Sequence, residues 1–286
     1  FILKVITKNL FTFNFNMKIF LKKIIYFSLM FLIFLELLSF IILVTGLFKL
    51  NRFPGREIYN AISKSYSYSN KKTLLLGDSV ASQIFSNNNE FDSINSLATN
   101  QAIGIAGNYF LLYNYLKKGN KIDSLVLFFI PESFGNNFSQ KYTYHYFLKP
   151  FNNSNYSSLF TEDLKIQIRK INYNSFSQIP HVKISSWSPK LQSPDARNYT
   201  FLSPLSIEYL NRIKLLSLEY DFNIIIKSPP LSETKRSFVL SIDKTEILST
   251  DLSNEFNEYF KSIYYLNNNE FVDNTHLKSP NKYFKK

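Results

Sequence analysis

Two short groups of residues carry the chemistry available to this chain. Gly77, Asp78 and Ser79 follow the apolar run Thr73–Leu76, and Asp273 stands three residues before His276 in "FVDNTHL". A serine hydroxyl is a weak nucleophile at its free pKa and needs an adjacent general base. The chain offers three histidines, His145, His181 and His276. A carboxylate three positions before His276 can fold back in a loop or helical turn. It can then hold the imidazole in one tautomer and support the imidazolium. The plainer reading of Gly-Asp-Ser after a strand is a tight turn.

Other chemistry finds little support. The chain has no cysteine, so disulfides, thiolate catalysis and cysteine-based zinc sites are excluded. Three separated histidines give no metal-ligand spacing. No Walker A loop or G-x-G-x-x-G stretch is present. We therefore expect neither a metal nor a cofactor. The net charge is +12, but the Lys and Arg residues are scattered. A solvated basic surface explains that better than a nucleic-acid partner.

The elements that must position Ser79 and His276 follow from pattern. "TLLLG" reads as a short buried strand with Ser79 at its end, and "DSINSLA" (92–98) as a second. "NQAIGIAGNYFLLYNYLKKG" places Ala102, Ile105, Ala106, Tyr109, Leu112 and Leu116 at helical spacings and closes on Lys117-Lys118-Gly119. "DSLVLFFIP" reads as a central parallel strand. Ser203-Pro204 opens a helix whose apolar face is Ile207, Leu210, Ile213, Leu216 and Leu218. "DFNIIIKSPP" reads as the next buried strand, "STDLSNEFNEYFKS" as a helix, and "IYYLNNNEF" as a last short strand before the His276 loop. Strands alternating with helices predict an α/β domain over 73–286, with a parallel sheet and helices on both faces. In such sheets ligands sit beyond the carboxyl ends of the strands. Residues 136–200, rich in Asn, Ser and Tyr, read as an insertion with a short helix near "TEDLKIQIRKI". Tyr142, Tyr144 and Tyr146 around His145 make it a candidate sugar-stacking surface.

The N-terminal region reads as a membrane anchor. Ile24–Phe48 is a run of 25 residues whose only charge is Glu36. It is long enough to span a hydrocarbon core of about 30 Å. A carboxylate at that depth must be protonated or paired, and a contact to another helix is one solution. Lys18, Lys22 and Lys23 precede the run, so residues 1–23 are expected in the cytoplasm and the C-terminal domain outside it. Met17-Lys18 is the expected translation start, with 1–16 as upstream read-through. Residues 49–72, with Pro54-Gly55 and "SKSYSYSNKK", read as a linker.

"GDSV" after the first strand and "DNTH" near the C-terminus resemble the first and last sequence blocks of the SGNH (GDSL-type) hydrolase superfamily, in the same order. The resemblance covers about Lys72 to the C-terminus. It implies a three-layer α/β/α sandwich and ester chemistry on acyl groups. By resemblance, Ser79 is the nucleophile, His276 the base and Asp273 its orienting partner. The oxyanion hole would use the Ser79 N–H, a donor from a second block and an Asn from a third. Both middle blocks depart from the family pattern: "SLATNQAIG" lacks the usual glycine directly after its strand, and "FFIPESFGNN" lacks an Asn directly after its own. Asn100 and Asn136 are the candidates that remain. The plainer readings are a helix N-cap for Asn100 and a loop residue for Asn136, and Glu132 and Ser133 could line the pocket. The sequence looks more similar to the membrane-tethered branch that acts on envelope polysaccharides than to secreted lipases.

The expected function is a membrane-anchored, extracytoplasmic ester hydrolase or O-acyltransferase acting on acyl groups of cell-envelope glycan. Its partners would be an acylated glycan or small ester, the membrane through 24–48, and a membrane protein of envelope assembly. The alternative expectation is an inactive SGNH-like domain serving as a binding or scaffold module in polysaccharide assembly.

Overall fold

The computed structural model describes residues 2–45, 55–86, 91–138, 142–170, 179–185 and 201–282, with side chains from Met17 onward except those of Lys170 and Asn281. The parts of the expected linker at 49–54 and of the expected insertion at 139–141, 171–178 and 186–200 lie outside the described residues. The chain divides into two units. One comprises residues 1–51 and 174–187, the other 52–173 and 188–286.

In the first unit, α1 runs over Ile2–Thr45. Its Met17–Thr45 portion is long and apolar enough to cross a membrane, and its apolar side chains are largely exposed, as at Phe27 (77%) and Met30 (71%). Such a surface is compatible with a membrane span.

The second unit opens with α2 (Arg56–Ser65), followed by β1 (Thr73–Gly77), α3 (Ser79–Ile84), β2 (Ile94–Ser96), α4 (Gly104–Lys117), β3 (Ser124–Phe128) and α5 (Pro131–Phe134). A π-helical turn at Tyr144–Leu148 continues into α6 (Lys149–Phe151), and α7 covers Glu162–Lys170. In the first unit again, α8 (Pro180–Ile184) packs on α1. Leu35, Glu36, Ser39, Ile42 and Leu43, one helical stripe of α1, are the residues shielded there. The Glu36 carboxylate accepts the His181 backbone N–H at 3.0 Å, so the carboxylate is paired with another helix. The second unit ends with α9 (Pro204–Tyr220), β4 (Asn223–Lys227), β5 (Leu231–Ser232), α10 (Arg236–Ser241), α11 (Ser253–Ser262) and β6 (Tyr265–Leu266).

The fold is α/β, built on a four-stranded parallel sheet in the order β2-β1-β3-β4. Strand periodicity sends alternate residues to opposite faces. Leu74 and Leu76 of β1 and Leu125 and Leu127 of β3 enter the larger core, with side chains of α2, α4, α9 and α11. Leu75 and Phe128 enter a second cluster with Val80, Ala81 and Ile84 of α3, and with Leu231, Phe271 and Leu277.

Local signals hold at several elements. Ser203 caps α9 by accepting the Ser206 N–H, with Pro204 in the first turn. Gly119, at φ +94°, takes the left-handed conformation that ends α4.

Other expectations are corrected. Residues 56–65, inside the expected linker, form α2, whose Ile58 and Ala61 are fully buried in the larger core. Almost all of α4 is buried, because α2, α9 and the segment around Phe147 and Phe151 cover it. Buried residues between 144 and 168 thus pack on the domain core. Tyr144, His145 and Tyr146 are buried, which removes them as a sugar platform, and only Tyr142 is exposed. Leu218 of α9 is 70% exposed. The strand β4 is the sheet edge and only Ile226 of it is buried, so its apolar run does not make the buried strand expected. The last strand, β6, pairs with β5 in a separate two-stranded ladder and does not extend the main sheet.

Candidate active site

The Gly-Asp-Ser turn is built by crowding and by a buried carboxylate. A Cβ at Gly77 would stand 2.3 Å from the Ala81 Cβ and 2.6 Å from the Phe128 carbonyl oxygen, so glycine is required where β1 turns into α3. Asp78 is fully buried and caps α3. Its Oδ1 accepts the N–H groups of Val80 (3.0 Å) and Ala81 (3.2 Å). Its Oδ2 accepts the Ile130 N–H (2.9 Å) and the Ser133 hydroxyl (2.7 Å). Burial pushes the Asp78 carboxyl above the usual range, and these hydrogen bonds offset part of that rise. Asp78 thereby ties α3 to the end of β3. Ser133, considered as a pocket-lining residue, is spent on this bond.

Ser79 is the first residue of α3, half-buried at the carboxyl end of β1. The main chain brings two neighbours alongside. The Thr99 N–H bonds the Gly77 carbonyl at 3.1 Å, which extends the β1–β2 pairing and sets Asn100 level with the turn. The Ile130–Asp78 bond does the same for the segment after β3.

The His276 loop arrives from the other end of the chain. Phe271 and Leu277 form an antiparallel bridge, and the Val272 N–H bonds the His276 carbonyl at 2.8 Å. Between them Asp273 Oδ1 accepts the N–H groups of Thr275 (3.2 Å) and His276 (2.8 Å), and Asn274 sits at φ +61°. Asparagine tolerates that left-handed conformation better than most residues. The carboxylate that shapes the turn also meets the ring: Asp273 Oδ2 lies 2.9 Å from His276 Nδ1. Burial pushes the Asp273 carboxyl up, but the hydrogen bonds from the His276 N–H and ring bring it net below the usual range. A carboxylate only accepts, so Nδ1 carries the proton and Nε2 is left to accept. That Nε2 lies 3.0 Å from Ser79 Oγ.

The structure therefore brings Ser79, His276 and Asp273 into one hydrogen-bonded chain. His276 is 36% and Asp273 55% exposed, so the arrangement is open to solvent. His145 is buried within the domain.

The two asparagines are already engaged. Asn100 caps a short helical turn at Gln101–Ile103, its Oδ1 accepting the Ala102 N–H at 2.9 Å. That use leaves its side-chain NH₂ as a donor. Asn136 is buried; its NH₂ donates to the Gln101 carbonyl at 2.5 Å and its Oδ1 accepts the Phe138 N–H at 2.9 Å. These bonds tie the loop after α5 to the Asn100 turn and use one of the two NH₂ hydrogens of Asn136. Glu132 pairs with Lys235 at the end of β3. Among the described residues no group of three or more His, Cys, Asp or Glu side chains is placed to hold a metal ion.

One contact was not signalled by motif. Gln83, four residues after Ser79 on α3, donates from Nε2 to the Leu277 carbonyl at 2.7 Å and accepts the Leu277 N–H on Oε1 at 3.0 Å. The spacing of one helical turn from Ser79 was the available signal.

Comparison with protein-family models, with curated proteins and with solved structures gives no match to this chain.

Proposed function

We propose that this protein is a membrane-anchored serine esterase or O-acyltransferase of SGNH type, with Ser79 as nucleophile, His276 as general base and Asp273 as its orienting group. The observation that carries the reading is the pair of distances at His276, 3.0 Å to Ser79 Oγ and 2.9 Å to Asp273 Oδ2. Both lie within the reach a nucleophile–base–orienter array needs. On this reading the domain is a three-layer α/β/α sandwich, with the two apolar clusters marking its two helix–sheet interfaces.

In the proposed reaction Ser79 Oγ attacks an ester carbonyl while its proton passes to His276 Nε2. The carbonyl oxygen becomes an oxyanion that the Ser79 N–H and the Asn100 NH₂ would stabilise. Each such donor is worth about 3 kcal/mol. Collapse expels the alcohol, which takes the proton from His276, and leaves acyl-Ser79. Water or a glycan hydroxyl then enters by the reverse steps and releases the acyl group. The exposure of His276 and Asp273 supports an acceptor too large for a closed pocket, and cell-envelope glycan is the substrate class we propose. The span in α1 would hold the domain at the outer face of the plasma or inner membrane, beside a membrane protein of envelope assembly.

The test is fluorophosphonate labelling of the full chain in detergent, with peptide mass spectrometry, beside Ser79→Ala and His276→Ala. The expected result is a label on Ser79 that both variants lose. Release of acetate from a small acetyl ester, measured with and without a glycan acceptor, separates hydrolysis from transfer. A folded protein that takes no label and cleaves no ester would instead be a binding or scaffold module.

A further inference from the structure

We infer that Gln83 is a positioning residue for His276, a role that rests on the proposed catalytic reading of Ser79. The loop that carries His276 is short and solvent-exposed, and it is closed from within by Asp273, by the Phe271–Leu277 bridge and by the Val272 N–H bond to the His276 carbonyl. Such a loop has no internal means of fixing its distance from Ser79, which belongs to an element 197 positions earlier. Gln83 supplies that distance. Its primary amide matches the peptide group of Leu277 donor to acceptor and acceptor to donor, at 2.7 and 3.0 Å. Two antiparallel hydrogen bonds set orientation as well as separation, as a strand partner would.

The two ends of this clip are the residues that matter. Gln83 lies one turn beyond Ser79 on the same face of α3. Leu277 is covalently adjacent to His276. Ser79, Gln83, Leu277 and His276 therefore form a closed ring: covalent along α3, hydrogen-bonded at the clip, covalent along the loop, and hydrogen-bonded again at Ser79–His276. Beneath the ring the Leu277 side chain is fully buried in the cluster that holds Val80, Ala81 and Ile84. That packing keeps the loop down without choosing its register, because apolar contact is not directional. The directional constraint is the Gln83 amide.

Gln83→Met keeps the side-chain length and removes both hydrogen bonds. In the full-length protein in detergent, kcat on a small acetyl ester should fall about 10- to 100-fold, as displacement of a base by about 1 Å does. KM should stay within about twofold, because the clip does not touch substrate. A second readout is independent of turnover. With three histidines in the chain, long-range ¹H–¹⁵N spectra can follow the His276 ring directly. The wild type should show one tautomer with the proton on Nδ1, and Gln83→Met should show broadened or averaged ring signals. The third arm is a cycle with His276→Ala, where adding Gln83→Met should cost nothing more in activity. An unchanged kcat with an unchanged His276 spectrum overturns the inference. So does a Gln83→Met loss that persists undiminished in the His276→Ala background, which would mark a general structural defect. If the wild type is inert and unlabelled while Gln83→Met still disturbs the His276 ring, the catalytic reading falls and the positioning role stands.

Discussion

Ser79 Oγ and His276 Nε2 lie 3.0 Å apart although 197 positions separate them in the chain. The approach is assembled by three independent devices: the Asp78 cap that sets the start of α3, the Asp273 turn that shapes the histidine loop, and the Gln83–Leu277 clip between them. Groups that act as one unit show strongly non-additive losses. Ser79→Ala and His276→Ala should each lower kcat on an acetyl ester by about 10⁴-fold or more, and the double variant should be no worse than the worse single. Losses that multiply in the double variant would show that the two side chains work separately.

Asp273→Asn tests the orienting group. The variant keeps an acceptor for the Thr275 and His276 N–H groups but can present its NH₂ to the ring and favour the wrong tautomer. We expect kcat to fall by about 10²- to 10⁴-fold with the fold retained. The stability effect has a defined sign. The folded value of Asp273 is depressed below 3.8, so its contribution is present above that pH and is lost as pH falls through the folded value. With the side chain 55% exposed, that contribution should stay below about 1 kcal/mol. Urea unfolding at pH 7 and at pH 3 measures it; a larger deficit at pH 3 than at pH 7 would contradict the sign.

Asp78 should matter through structure. Asp78→Ala leaves the Ile130 N–H and the Ser133 hydroxyl buried without their acceptor and uncaps α3. The expected loss is about 3–5 kcal/mol. Ser133→Ala removes one donor from a carboxylate that keeps three others, and should cost about 1 kcal/mol. Chemical denaturation of the two variants checks the ratio, and equal losses would count against Asp78 as the joint between α3 and β3.

The meeting of Ser79, His276 and Asp273 was more legible in the sequence than the packing was. "GDS" after an apolar run and "DNTH" near the end pointed to it, because the proposed chemistry needs particular residue types at particular chain positions. Gln83 was invisible to that logic, since a glutamine one turn along a helix has no motif. The failures elsewhere have separate causes. With 29 Phe and 19 Tyr in the chain, aromatic content does not separate core from surface. Tyr144 and Tyr146 therefore read as exposed while they pack inside. Residues 56–65 read as linker because the polar "SKSYSYSNKK" (63–72) overlaps their end, although Ile58, Ala61 and Ser65 already trace a helical stripe. The apolar "NIIIK" gave no sign that β4 has a neighbour on one side only, because pairing is decided by chain topology and not by the strand's own residues.

Lys149 is half-buried beside the Tyr144 ring, 5.6 Å from its centroid, and burial lowers its ammonium to about 8. A lysine with a folded value below its unfolded 10.5 favours the neutral form in the folded state. Stability therefore rises as pH climbs from about 8 toward 10.5, and the cost of the charge is present below 8. Lys149→Met should raise stability at pH 7 by about 1–2 kcal/mol, after allowance for partial exposure and for the lost cation–π contact. The gain should shrink to zero or reverse above about pH 10. Thermal unfolding of both proteins across that range is the measurement, and a gain that grows with pH would refute the assignment.

Glu36 presents the last test, because its carboxylate lies within the apolar stretch of α1 and is met by the His181 N–H at 3.0 Å. A carboxylate at bilayer depth is tolerated when a donor reaches it, so α8 and this stripe of α1 should stay together in the membrane. The absence of native cysteine makes a paired-cysteine test clean. Glu36→Cys with His181→Cys should join under a short bis-maleimide in native membranes, giving an intramolecular product. Phe27→Cys with His181→Cys should not, since position 27 lies nine residues, or about 13 Å, further along the helix and its side chain is exposed. Equal yields from the two pairs would mean that α8 does not lie against Glu36. Glu36→Leu should leave the fold of α1 intact while speeding hydrogen exchange at the His181 N–H, because the Glu36 carboxylate is the acceptor of that N–H.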